Sequence, residues 1–208
     1  VWEGDMYLEL HRGTYTTHAR NKRWNRKSEV LYREAEIWST LAALHGADAG
    51  ADFLSRASRA LEPGWKKILF NQFHDIVPGS SIPDVYVKSR EDYEEIQSIG
   101  ESALHAALRA LEKRIDTRGE GIPVIVFNSL SWSRAETLTL RGEHDWSRIA
   151  VFDADGRELP SDVRQDENGQ PALFVHVANI PPMGYRTVWL REKERHFKDK
   201  NPAFDGTW

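Results

Sequence analysis

The sequence predicts an α+β, multi-domain chain: a three-helix bundle followed by an incomplete antiparallel β-sandwich. Two observations carry this expectation. Before residue 116 the apolar residues recur at helical spacing, and after residue 121 that period gives way to short β-rich runs separated by turn dipeptides. With 208 residues the chain can bury a real core and can hold one or two domains.

Residues 1–27 show no sustained period and carry many charges, so they are expected to form an extended segment. Residues 28–115 are expected to form the bundle. Ser28 is a candidate N-cap with Glu29 in the first turn, and Leu31, Ala35, Trp38, Leu41, Ala42 and His45 mark one face of a helix ending near Gly46. His45, on that face, reads as a structural histidine. Ala47 to Leu61 suggests a short helix or helical connection, broken by Pro63-Gly64. A second helix, with Trp65, Ile68, Leu69 and Phe73 on its buried face, runs to Pro78-Gly79. Ser80 or Ser81 then caps the longest helix, with Pro83 in its first turn and a stripe from Val85 through Ile96 and Ala107 to Leu111. Its charged run Arg90, Glu91, Asp92, Glu94 and Glu95 reads as a solvated face.

Residues 121–191 are expected to form the β-domain. Strands are placed at Val124–Phe127, Thr137–Leu140, Ile149–Phe152, Ala172–Val177 and Tyr185–Leu190, with hairpin dipeptides at Asp155-Gly156 and Asn168-Gly169. Asn128 is given a strand-end turn and Trp132 a place in the core. Residues 192–208 read as a loose tail.

Composition narrows the function classes. Formal net charge is −4, which gives no electrostatic footprint for nucleic acid or an anionic membrane. No apolar run approaches a membrane span. The absence of cysteine excludes a disulfide framework or thiolate metal site and fits a cytoplasmic setting. The eight tryptophans suit either sugar platforms or cores and domain contacts. Because the sequence begins at Val1, it reads as a piece of something longer.

One stretch presents chemistry: Asn71-Gln72-Phe73-His74-Asp75-Ile76-Val77-Pro78-Gly79-Ser80-Ser81. Here an imidazole and a carboxylate stand side by side at a helix end. The histidine could bind a metal through either ring nitrogen, and the carboxylate could bind metal, orient a ligand hydroxyl or sit in water. Spacing alone does not choose among these.

The string resembles the Q-x-H-D-x-x-x-G-[ST] segment of the glycoside hydrolase family 38 α-mannosidases. His11-Arg12-Gly13-Thr14-Tyr15-Thr16-Thr17, followed by Ala19-Arg20-Asn21-Lys22, resembles the H-x-G-T-Y-T-[TS] string that leads into that family's helical domain. Val126 to Trp132 and Ile180 to Arg186 are similar to the start of its C-terminal β-region. The resemblance implies that His74 is a ligand of an active-site divalent metal, usually zinc, and that Asp75, with Arg12 and Tyr15, lines the sugar subsite. It also implies that residues 1–27 dock on a preceding catalytic domain, which supplies the nucleophile, the acid/base and the other metal ligands. The implied function is retaining α-mannoside hydrolysis in a longer enzyme, this piece being inactive alone; a homo-oligomer is left open. Two other readings are a non-catalytic carbohydrate-binding module and a structural interaction module.

Overall fold

The computed structural model describes residues 1, 3–4, 13–46 and 50–193. The chain divides into two compact units, Val1–Ile115 and Asp116–Trp208.

The first unit is a bundle of three helices: α1 (Ala19–Leu44), α2 (Gly50–Asn71) and α3 (Pro83–Glu112). Hydrogen bonds fix their directions. Asn21 meets Ser89, Tyr32 meets the Ile96 carbonyl and Arg114 meets the Gly46 carbonyl, so α1 and α3 run parallel. Trp65 bonds Glu36 and Gln72 bonds Asn25, so α2 returns between them. The core is built from Tyr32, Ala35, Leu61, Ile68, Tyr93 and Ile96.

Several expectations about this unit are corrected. α1 begins at Ala19, so residues 19–27 are helical and not extended, and Ser28 is a buried mid-helix residue, not a cap. The inward stripe starts with polar Asn21 and Ser28, which bury like apolar residues but leave no hydrophobic period. His45 is exposed, in the C-cap position, and Gly46 ends the helix with φ of 77°. Residues 47–49 lie outside the described residues. From Gly50, α2 runs unbroken through Pro63-Gly64. Gly64 is there for space: a Cβ would stand 1.7 Å from the Tyr32 hydroxyl oxygen. Leu69 and Phe73, expected inside, are 61% and 50% exposed, because the helix presents Leu61, Gly64, Ile68 and Asn71 to the bundle instead.

Neither Ser80 nor Ser81 caps α3. Ile82 occupies the N-cap with no side-chain bond, and Pro83 opens the helix, where its missing N–H costs nothing. Asp92 leaves the solvated run: it is buried and bonded to Lys67 at 2.7 Å and to the Asn71 side chain at 3.3 Å, while Lys88 stands 3.4 Å away. Burial alone would raise its pKa, but those hydrogen bonds and the two lysine charges hold it below the usual carboxylate value.

The second unit holds β1 (Ile122–Asn128), β2 (Arg134–Leu140), β3 (Ile149–Phe152), β4 (Ser161–Gln165), β5 (Pro171–Ile180) and β6 (Gly184–Glu192). They form two three-stranded antiparallel sheets, ordered β1-β6-β3 and β2-β5-β4. Leu173, Val175 and Val177 alternate inward from β5 to meet Val126, Val151, Val188 and Leu190 of the other sheet. The α+β reading therefore holds. β4 was not anticipated, since its residues are polar and mostly exposed. Trp132 is 59% exposed rather than in the core. Asn128 does organise its turn, donating to the Trp132 and Pro181 carbonyls and accepting from the Leu130 N–H.

Both glycine turns share one construction. Asp153 and Asp166 each accept two backbone N–H bonds, from Asp155 and Arg157 and from Asn168 and Gln170. Gly156 and Gly169 then close three-residue loops at φ of 76° and 73°. The structure's description stops at residue 193, so the expected tail lies almost wholly outside it.

Candidate sugar and metal site at one end of the bundle

α2 stops at Asn71, and residues 72–79 continue as tight turns. His74 and Asp75 therefore stand just past the helix. Their side chains are 78% and 55% exposed, with His74 Nε2 3.4 Å from Asp75 Oδ2. The imidazole ring packs against Phe73, 4.1 Å between centroids.

The residues before the pair anchor it to both neighbouring helices. Asn71 donates to the Lys67 carbonyl and to buried Asp92. Gln72 donates to Asn25 Oδ1 at 3.0 Å and Glu29 Oε1 at 2.9 Å on α1. Those after the pair tie it down again. Ser80 Oγ donates to Asp75 Oδ1 at 3.2 Å, and Ser81 Oγ to the Asp75 carbonyl at 2.6 Å.

The two strings singled out in the sequence meet here. Gly79, at φ of 92°, lies so close to Thr17 that a Cβ would sit 2.7 Å from its methyl group. Lys22 donates to the Thr17 carbonyl at 2.5 Å and the Pro78 carbonyl at 3.3 Å, joining the strings directly; burial lowers its pKa. Tyr15 is 76% exposed on the same segment as Thr17. Arg12 lies outside the described residues.

Large apolar side chains close to the pair in sequence are exposed. Leu69, Phe70, Phe73 and Ile82 are all at least half exposed, and a cleft of about 380 Å³ opens between Phe70, Phe73, Ile76 and Val85. Among the described residues, no third His, Cys, Asp or Glu joins the pair in a metal-holding cluster. Zinc takes three or four protein ligands, so these two side chains fit part of a coordination sphere and not all of it.

Nothing in the sequence marks Gln72, Ser80 or Tyr86 as supports, because their partners lie on other elements or across a turn; the Tyr86 hydroxyl accepts the Ser81 N–H and lies 3.3 Å from the Asp75 carbonyl oxygen. The Gly79 position carried a signal, since a glycine next to proline marks a turn.

Residues 9–111 match the family described as the α-mannosidase middle domain. The chain belongs to the α-mannosidases of glycoside hydrolase family 38. Among individual proteins, it is similar to alpha-mannosidase 2C1 of Mus musculus, 39% identical over 156 residues, which covers 73% of this chain and 14% of that protein. The α-mannosidase of Saccharomyces cerevisiae is 29% identical over 146 residues, covering 67% of the chain and 12% of that protein. In fold, it resembles the crystal structure of an α-mannosidase from Enterococcus faecalis V583, with TM-score 0.59 and 20% identity over 88% of this chain and 24% of that one. The chain thus spans a small part of the length of its relatives.

Proposed function

We propose that this chain is the middle part of a retaining, divalent-metal-dependent α-mannosidase that hydrolyses terminal α-mannosidic bonds. His74 gives one imidazole nitrogen to the metal, which the resemblance makes zinc, and Asp75 accepts from a hydroxyl of the mannose ring. Arg12 and Tyr15 line the same cleft. The metal, when bound, would hold and polarise ring hydroxyls. The carboxyl groups that act as nucleophile and acid/base come from outside this chain, as do the remaining ligands, since retaining hydrolysis needs two carboxyl groups about 5 Å apart across the scissile bond.

One observation carries this reading. The His74–Asp75 pair is exposed, yet the segment that carries it is bonded to α1 through Gln72 and to the following serines, and Leu69, Phe70, Phe73 and Ile82, all within seven residues of it, are exposed apolar side chains. Large apolar side chains left exposed on the segment that carries the pair support a surface that another body covers. The whole enzyme, not the piece, is then the active species.

The test pairs this chain alone with a polypeptide that carries it together with the rest of the enzyme, both assayed on p-nitrophenyl α-mannoside with added zinc. Turnover only in the longer protein, with activity and zinc content lost together in His74→Ala, is the expected result. Turnover by this chain alone would place the two carboxyl groups within it and overturn the assignment. No helix among the described residues is long and apolar enough to cross a membrane.

A further inference from the structure

The turn that carries His74 and Asp75 is gripped by a residue from another helix. Tyr86 lies in the opening turns of α3, and its hydroxyl meets three backbone groups. It accepts the Ser81 N–H at 3.0 Å and lies 3.3 Å from both the Asp75 and Ile76 carbonyl oxygens, to one of which its proton goes. Its ring is stacked on the His18 imidazole, 3.7 Å between centroids and 10° between planes. The hydroxyl thereby joins the two ends of the turn, and the stack fixes where the hydroxyl stands.

Ser80 acts on the carboxylate itself. It bonds Oδ1 of Asp75, while the other oxygen, Oδ2, faces His74. The two oxygens thus have separate tasks. It is also notable that α3 has no side-chain N-cap although two serines immediately precede its start. Their hydroxyls are directed at Asp75, where a helix start would ordinarily claim them.

We propose that Tyr86 and Ser80 are positioning residues for Asp75: Tyr86 fixes the backbone on which the carboxylate stands, and Ser80 fixes its rotamer so that Oδ2 faces His74 and the sugar. The proposal rests on the reading of His74 and Asp75 as metal ligand and sugar contact. Residues 72–82 fall between α2 and α3 and have no helical ladder to hold them. A displacement of about 1 Å in such a contact can reduce turnover about 100-fold.

The test uses the complete enzyme with Tyr86→Phe, Ser80→Ala and Asp75→Asn, singly and in pairs. The measurements are kcat/KM on p-nitrophenyl α-mannoside at saturating zinc, zinc content and Tm. Tyr86→Phe and Ser80→Ala should each lower kcat/KM about tenfold or more with Tm and zinc content near wild type, and in the Asp75→Asn background each should change it less than about twofold. Ser80→Thr, which keeps the hydroxyl, should restore activity. Equal losses in both backgrounds, losses that follow Tm, or an effect within about twofold of wild type would overturn the proposal. If Tyr86→Phe is silent while His74→Ala and Asp75→Asn each lower kcat/KM to a measurable remainder, the positioning role alone fails. If those two variants stay active, the underlying site reading fails and takes the positioning role with it.

Discussion

Alanine at Gly64 would, at an ordinary helix position, stabilise α2 by about 1 kcal/mol through helix propensity. The structure reverses that sign. The new Cβ would stand 1.7 Å from the Tyr32 hydroxyl oxygen and 2.5 Å from Cζ. The ring cannot retreat, because Gly100 receives it on the far side, where even a Cβ would come within 2.8 Å of Cε2. Overpacking of this kind costs about 1–3 kcal/mol, and displacing the hydroxyl from the Ile96 carbonyl, now 2.9 Å away, adds about 1 kcal/mol. Against the propensity gain, the net is a destabilisation of about 2 kcal/mol. That corresponds to roughly 10 °C in Tm for a unit of this size. Urea denaturation followed by the helical circular dichroism signal measures it as a lower midpoint at unchanged slope. Tyr32→Phe, which removes the nearest atom, should shrink the penalty of Gly64→Ala. A higher midpoint for Gly64→Ala in the otherwise native chain would refute the reasoning, since it would mean that Tyr32 does not occupy the space the glycine leaves.

Two further outcomes are expected. Asp92→Asn should destabilise the bundle by about 2 kcal/mol at neutral pH, because it removes the buried charge that pairs with Lys67 and replaces one of the two acceptor oxygens, which serve Lys67 and Asn71, with an NH2 donor. Because the folded pKa of Asp92 is depressed, its contribution is full above the unfolded value of about 3.9 and is lost as pH falls through the lower folded value. The difference between wild type and variant should therefore close below about pH 4, as urea titrations across the acid range would show. In the β unit, Gly156→Ala and Gly169→Ala should each cost about 1 kcal/mol from backbone strain alone, since both glycines sit at positive φ with nothing within 4 Å of a Cβ. Asparagine at either position should cost less, and thermal melts of the four variants rank them.

What the sequence disclosed and what it hid divide along a physical line. The β-rich runs of β5 and β6, the stripe of α3 and the aspartate-glycine and asparagine-glycine turns were legible because each signal is local. The start of α1 was not, because its inward face begins with Asn21 and Ser28, whose partners and cover come from the rest of the bundle. Gly64 looked like a helix breaker because nothing in its neighbourhood announces Tyr32. Asp92 looked solvated for a similar reason, its partners Lys67 and Asn71 lying on α2. At the site, the string around His74 and Asp75 could be read for its position, just past a helix end. Its supports from Tyr86, Lys22 and Gln72 are contacts between elements, and a linear pattern does not carry them.

The meeting of Thr17 with Gly79, and of His18 with Tyr86, also bears on how the molecule comes together. The first contact closes only when α2 has folded back along α1, and the second only when α3 has come to lie beside them. Closing a span of roughly sixty residues is not prohibitive, since each doubling of loop length adds only about 0.6 kcal/mol. It is, however, long-range, and long-range contacts are made late when shorter ones can form first. A chain halted with α1 and α2 paired but α3 undocked would still display His74 and Asp75, but without the clasp that sets their geometry. Competence at this end of the bundle is thus a report on the folding of all three helices.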